Sequence, residues 1–149
     1  MAEVGLVFGI VDASAGLILK CASVARTLND LAGKYKKAEL TLKTVIQQVE
    51  AVKAAWVRIE TWFKEQQNHV GVSTADDELW DRLKMSLECG DLVISALEED
   101  LLPFRDNNDM LGIKQRSRLI WEGNMLCDHQ TRLRDQVLTM SLVLQVLKL

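Results

Sequence analysis

Apolar side chains recur at helical spacing along most of this chain, and the pattern is clearest over residues 35–67. There they alternate steps of three and four, which places one side chain per turn on a single face of a helix. A heptad pattern sustained over this length is typical of helices that pack in left-handed bundles. The predicted seam consists of Tyr35, Ala38, Leu42, Val45, Val49, Val52, Trp56, Ile59 and Phe63.

Two further segments follow the same pattern and predict a third and a fourth helix. The third begins near Thr74, a residue suited to cap a helix, and the fourth covers residues 113–147. Residues 102–112, which include Pro103, form the predicted loop between them. Gly90 lies in mid-helix, where glycine costs about 1 kcal/mol relative to alanine, so it predicts a close helix–helix contact. The predicted inner faces are Leu79, Leu83, Leu87, Ile94, Leu97 and Leu101, with Trp80 at the edge, and Leu119, Leu126, Leu133, Val137, Met140, Leu144 and Leu147.

The first predicted helix begins near Ala2 and ends at a Gly33 cap. Its residues 4–19 hold one charge, Asp12, and their apolar side chains do not keep to one stripe. A helix that is apolar all round is buried in a protein core or in lipid. With the other three it predicts an all-α fold, an up-down four-helix bundle with a hydrophobic N-terminal helix, as one domain over residues 1–149.

The length and charge of residues 4–19 make them a poor membrane span on their own. Sixteen helical residues reach about 24 Å, against about 30 Å of hydrocarbon. Their large apolar side chains contribute roughly −4 kcal/mol to insertion, and Asp12 opposes this with about +3 kcal/mol. We therefore expect a conditionally buried helix, enclosed in the resting bundle and exposed when copies gather.

Three small residues, Gly5, Gly9 and Ala13, follow one another at steps of four in this helix. Such spacing lets helices approach closely in lipid. It equally suits a tight helix crossing inside a soluble bundle, and the pattern alone favours the soluble core. Both interpretations hold if the helix changes partners on activation.

Charge and cysteine content narrow the classes of function. The net charge of −3 disfavours general nucleic-acid binding, which needs an excess of lysine and arginine on one face. The second helix has a basic outer face, and the third carries nine acidic residues against Arg82 and Lys84, so the two are predicted antiparallel neighbours. Three widely spaced cysteines, Cys21, Cys89 and Cys127, are predicted to be buried thiols in a reducing cytosol.

The sequence contains none of the common catalytic or metal-binding motifs. His69 stands alone, and His129 follows Cys127 by two residues, a spacing that puts them on different helix faces. The acidic run from Asp76 to Asp81 suits a solvated helix start better than a metal site. We therefore predict that the domain is not an enzyme and has no cofactor, metal, nucleic acid or small-molecule substrate.

Several segments resemble fungal HeLo-like domains. These are the start AEVGLVFGIVD at residues 2–12, the helix over residues 40–63, and RLIWE at 118–122 followed by LRDQV at 133–137. In that family the domain is the N-terminal effector of intracellular NOD-like (STAND) receptors, and is similar to the executioner domain of the necroptotic mixed-lineage-kinase-like pseudokinase and to plant helical resistance domains. The resemblance implies programmed cell death in innate immunity and heterokaryon incompatibility, through oligomerisation and membrane targeting.

This resemblance implies that the domain is cytoplasmic and relocates to the plasma membrane on activation, with self-association and anionic membrane lipids as its partners. Two other hypotheses stay open: a helical signalling or adaptor module that recruits proteins without membrane activity, and a constitutive homo-oligomer completed by another chain. The candidate membrane-interacting residues are Val4, Leu6, Val7, Phe8, Ile10, Val11, Leu17, Ile18 and Leu19, with Gly5, Gly9 and Ala13 as helix-packing residues.

Overall fold

Four helices make up the part of the chain that a computed structural model describes, namely residues 2–34, 39–67, 77–105 and 125–149, with the side chains of residues 2–8, Pro103 and Arg105 left aside. They are α1 (Ala2–Lys34), α2 (Glu39–Gln67), α3 (Asp77–Arg105) and α4 (Met125–Leu147). These ranges contain no strand, so the predicted all-α class is confirmed. The predicted seam residues Tyr35, Ala38 and Leu119 and the predicted cap Thr74 lie outside the described residues.

The main helix–helix interfaces join α1 to α2 and α3, and α4 to α2 and α3. The predicted pairing of α2 with α3 by opposite charge is therefore wrong as a main interface. The physical reason for this difference is that lysines of α2 form ion pairs with glutamates of the same helix. These pairs are Lys43 with Glu39 (2.8 Å), Lys53 with Glu50 (3.9 Å) and Lys64 with Glu60 (2.8 Å). The two helices still meet at one end, where the rings of Phe63 and Trp80 stack with centroids 5.1 Å apart.

The buried seam of α2 matches its prediction at every described position, from Leu42 to Phe63. In α3 the prediction needs one correction, because Trp80 is buried and Leu79 is only half-buried. The α3 seam then alternates steps of three and four without a break, and Gly90 occupies a seam position. Its members are Trp80, Leu83, Leu87, Gly90, Ile94, Leu97, Leu101 and Phe104.

Polar side chains occupy seam positions in the other two helices. In α1 the hydroxyl of Ser14 is buried and donates a 2.7 Å hydrogen bond to the Ile10 carbonyl, four residues earlier. In α4 the seam positions 129 and 136 are His129 and Gln136, both buried. These three residues are polar, so they are absent from the predicted apolar seams, although each belongs to the core.

The four seams converge at Gly90, where the predicted close contact is confirmed. A Cβ atom placed on Gly90 would lie 3.3 Å from Cδ2 of Leu17, 3.5 Å from Oε1 of Gln136 and 3.6 Å from Nε1 of Trp56. One side chain from each of the other three helices thus packs against this glycine. Because glycine has no side chain, α3 can approach all three neighbours in one layer.

The helix ends differ from the prediction at two positions. Gly33 lies inside α1, which continues to Lys34, and its backbone is not left-handed, so the predicted glycine cap is wrong. The helix α3 continues through Pro103 to Arg105, although a loop was predicted from residue 102. Burial of Leu101 and Phe104 in this last turn offsets the backbone hydrogen bond that proline cannot donate.

Substitutions at two glycines, one inside the Gly90 layer and one outside it, test the packing of this layer. Gly90→Val should lower the free energy of unfolding by about 1–3 kcal/mol, because its methyl groups would overpack the layer. Gly16→Ala should raise it by about 0.5–1 kcal/mol, since nothing lies within 4 Å of the added carbon and the helix gains propensity. Urea unfolding curves measure both, and equal effects at the two glycines would contradict the packing described.

Candidate functional site

Residues 9–19 of α1 pack on the bundle by one face only. Ile10 and Leu17 are 2% and 1% exposed, whereas Leu19 is 71% exposed. Val11 and Ile18 are half-buried. The predicted burial on all sides is therefore wrong for residues 9–19. The candidate membrane residues Val4, Leu6, Val7 and Phe8 have side chains outside the described part.

The composition of the outer face explains why residues 9–19 of α1 can lie at the protein surface. Its exposed positions are Gly9, Asp12, Ala13 and Gly16, together with Leu19. Four of these are small or charged, so exposing them costs little, and the apolar residues between them point inward. The stretch is amphipathic, although its small residues make it look uniformly apolar in the sequence.

The small residues do not form the tight helix crossing that was one prediction for them. Gly9 and Ala13 are exposed, and nothing lies within 4 Å of a Cβ placed on Gly9. A groove of about 530 Å³ separates them from Lys84 and Leu87 of α3. Gly5 lies outside the described side chains. In this bundle the edge formed by Gly9 and Ala13 faces open space.

One polar clasp joins the middle of α1 to α3. The ammonium group of Lys20 donates to Oδ1 of Asp91 and to Oγ of Ser95, both at 2.8 Å. The ion pair is partly exposed, so it contributes at most about 1 kcal/mol. On the N-terminal side of this clasp, Ile10, Ser14 and Leu17 are the buried contacts of α1 among the described side chains.

A second groove, which we call the α3–α4 groove, lies on the other flank of α3 and has a volume of about 600 Å³. Its rim carries the exposed side chains of Met85, Leu142 and Val146, and its floor includes Leu83. Cys89 and Gln136 lie at one end of it, where Gln136 Nε2 donates to Cys89 Sγ at 3.1 Å. The sequence pattern gives no sign of this groove, since it depends on how far apart α3 and α4 stand.

The solvent face of α3 combines acidic and large apolar side chains. The helix holds eight acidic residues against three basic ones. Met85 and Leu92 are 70% and 71% exposed on this face. Asp81, Glu88 and Glu99 are exposed beside them. Exposed apolar side chains bordered by charge are typical of surfaces that bind other proteins.

The three thiols differ sharply from one another. Cys21 is buried, while Cys89 and Cys127 are exposed, so the prediction of three buried thiols is wrong for two of them. Burial raises the pKa of the Cys21 thiol to about 12, and the negative charge of Glu50 adds to this, while Lys53 opposes it. Cys21 is therefore unreactive near neutral pH, and the other two thiols are open to reagents.

A buried histidine contacts one carboxylate of the acidic run at the end of α3. Nε2 of His129 lies 2.6 Å from Oδ2 of Asp100, so this ring nitrogen donates to the carboxylate. The ring is buried, and its Nδ1 has no partner among the described residues. The contact ties the C-terminal part of α3 to the beginning of α4, which sequence spacing could not indicate.

In the described ranges no group of three or more histidine, cysteine, aspartate or glutamate residues could hold a metal ion. None of the helices described here is both long enough and apolar enough to cross a bilayer. Comparison of the chain with protein-family models, curated proteins and solved structures finds no match.

Removal of the Asp100 carboxylate tests the contact with His129. Asp100→Ala should lower the free energy of unfolding by about 1–2 kcal/mol, because a buried ring nitrogen loses its acceptor. Glu99→Ala on the exposed neighbouring position should change it by less than about 0.5 kcal/mol. Chemical denaturation of both variants measures the difference. Similar values for the two variants would mean that the contact does not contribute.

The raised pKa of Cys21 predicts an alkaline loss of stability. The unfolded thiol ionises near 9.0 and the folded one near 12, so the stability is fully present below pH 9 and is lost as the pH rises toward 12. The slope reaches about 1.4 kcal/mol per pH unit at most. Unfolding under reducing conditions should show this extra slope in the wild type relative to Cys21→Ala. Parallel pH profiles would refute it.

Proposed function

We propose that this chain is a HeLo-like N-terminal effector domain of a fungal NOD-like receptor. It mediates regulated cell death by oligomerising and by targeting and permeabilising a membrane through α1. The observation that carries the proposal is the one-sided packing of residues 9–19 of α1, beside an open groove. A helix held by one face can leave the bundle at lower cost than one enclosed on all sides. The domain acts without enzymatic activity or a cofactor.

The proposal includes an up-down bundle with a hydrophobic N-terminal helix. Contacts between helices support this order. The helices α1 and α3 run parallel, since Lys20 binds Asp91 and the later residues near Thr27 lie beside the later Leu101. The helices α3 and α4 run antiparallel, since Asp100 binds His129 and the earlier Cys89 binds the later residue 136.

Release of α1 exchanges one apolar environment for another. Leaving the bundle exposes Ile10 and Leu17, each worth about 1.5–3 kcal/mol of burial, and insertion into lipid recovers this term. Ser14 keeps its hydrogen bond to the Ile10 carbonyl within the helix, so it enters lipid without an unsatisfied hydroxyl. Asp12 opposes insertion by about 3 kcal/mol. Several copies gathered together reduce this cost by shielding Asp12 from lipid.

This account assigns roles to the partners and the location. The domain rests in the cytoplasm, associates with itself when a receptor gathers several copies, and relocates to the plasma membrane, where anionic lipids receive α1. The edge of Gly5, Gly9 and Ala13, which faces open space at its described positions, then serves contacts between released helices.

Dye release from vesicles tests the proposal. Induced oligomers of the wild type should release dye from vesicles that contain anionic lipid, and Leu19→Glu should reduce the rate at least about tenfold, because a carboxylate in lipid costs several kcal/mol. Leu19 is exposed, so its variant should fold. Leu40→Glu is the matched control, an exposed leucine on α2.

Further variants extend this test to the first turns of α1. Val7→Glu and Phe8→Glu should also reduce leakage, with folding checked by circular dichroism. No leakage from wild-type oligomers, or equal leakage from the wild type and Leu19→Glu, would overturn the membrane function.

A signalling or adaptor module is the second candidate, and the acidic face of α3 with Met85 and Leu92 supports it. This function would survive deletion of the first twelve residues of a folded bundle and would be lost with Met85→Lys and Leu92→Lys. The α2 seam no longer supports the third hypothesis, a constitutive oligomer, because every described seam position from Leu42 to Phe63 is buried within one chain.

A further inference from the structure

We propose that Cys89 is a site of S-acylation and that its long acyl chain lies in the α3–α4 groove. This site is separate from the release of α1 and does not depend on the function proposed above. Three features of the structure meet here: an exposed thiol, a buried amide that holds the sulfur, and an apolar groove that begins at the sulfur.

The amide of Gln136 fixes the thiol at the end of the groove. Its side chain is 6% exposed and lines the groove, and Nε2 donates one N–H group to Cys89 Sγ at 3.1 Å. The second N–H of this amide can donate to the carbonyl oxygen of a thioester, which stands one bond away from the sulfur. Oε1 faces the Gly90 layer, 3.5 Å from the position of a Cβ on Gly90, so the oxygen end of the amide lies toward the core while its nitrogen lies at the sulfur.

The groove fits a long hydrocarbon chain in size and in chemistry. It extends over about three turns of each helix, from Cys89 and Gln136 toward Leu79 and Val146. A methylene group is close in size to a water molecule, which takes about 30 Å³ in the liquid, so sixteen carbons need roughly 480 Å³. The groove offers about 600 Å³. Its apolar side chains, which would contact the hydrocarbon, are Leu79, Leu83, Met85, Leu142, Val143 and Val146. The side chains of Glu78, Arg82, Ser86 and Thr139 also line the groove.

The acyl donor is a long-chain acyl-coenzyme A thioester. The sulfur of Cys89 attacks the thioester carbon, a new carbon–sulfur bond forms, and the bond from that carbon to the sulfur of coenzyme A breaks. The proton of the Cys89 thiol passes through solvent to the departing coenzyme A thiolate. No oxidant or reductant takes part, and hydroxylamine reverses the modification by taking the acyl group.

The other two cysteines of the chain serve as comparisons for Cys89. Cys127 is exposed on α4 and lines neither of the two grooves described above. Cys21 is buried and does not meet the donor. A difference between Cys89 and Cys127 that appears only with a long acyl chain therefore reports on the groove and not on thiol exposure.

The test incubates the purified chain with palmitoyl-coenzyme A or with acetyl-coenzyme A. Peptide mass mapping before and after hydroxylamine follows the thioester at each cysteine. Palmitoylation of Cys89 should be at least about tenfold faster than that of Cys127, the factor that burial of about two methylene groups provides. Acetylation should proceed at similar rates at the two sites.

Substitutions at exposed positions separate the groove from the thiol. Leu142→Glu and Val146→Glu, both on the rim, should remove the preference of palmitate for Cys89, and Leu138→Glu, exposed on α4 outside the groove, should keep it. Equal palmitoylation of Cys89 and Cys127 would overturn the proposal. The proposal would also be overturned if palmitate that resists hydroxylamine bound the Cys89→Ser variant as well as the wild type. The groove would then hold a free fatty acid.

Discussion

The layer around Gly90 is the constraint on which the rest of the bundle depends. Leu17, Trp56 and Gln136 each come within about 3.6 Å of the position that a side chain on Gly90 would occupy. Glycine costs helix propensity at this point, and the close approach of four helices offsets that cost. The layer also brings an indole N–H and an amide oxygen, both buried and unpartnered among the described groups, to the same place. It fixes both the spacing of the helices and the position of Cys89.

Packing differs on the two sides of this layer. Toward the C-terminal end of α3, the gap beside Ser23 and Leu101 has a volume of about 10 Å³, and Asp100 binds His129. Toward its N-terminal end, α3 is flanked by the two grooves, of about 530 and 600 Å³. Residues 9–19 of α1 belong to this open side. The proposed release of α1 and the proposed acyl site therefore both involve the side of the bundle that carries the two grooves, and each involves one member of the Gly90 layer, Leu17 and Gln136 respectively.

The sequence predicted burial correctly where the heptad rule alone determines it. It predicted burial incorrectly where contacts with other helices determine it. The heptad rule found the α2 seam because each of its members is apolar. It missed Ser14, His129 and Gln136, since a polar side chain enters a seam only if a bond from its own helix or from another helix satisfies it. It misplaced Trp80 by one position, because Leu79 and Trp80 fit the inner face equally well by spacing. It also treated residues 4–19 as uniformly apolar, although small residues mark the exposed face over the described residues 9–19.

By itself, the sequence determined that the chain is helical, that Gly90 marks a close contact, and that α1 begins with an apolar stretch too short and too charged to be a sound membrane span. These follow from local periodicity, helix propensity and transfer free energies, which need no knowledge of neighbours. Only the tertiary structure decided which face of α1 is covered, which thiol is exposed, and where α3 stands apart from α1 and α4. These depend on distances between helices far apart in the chain, and the spacing of residues along one helix carries no such information.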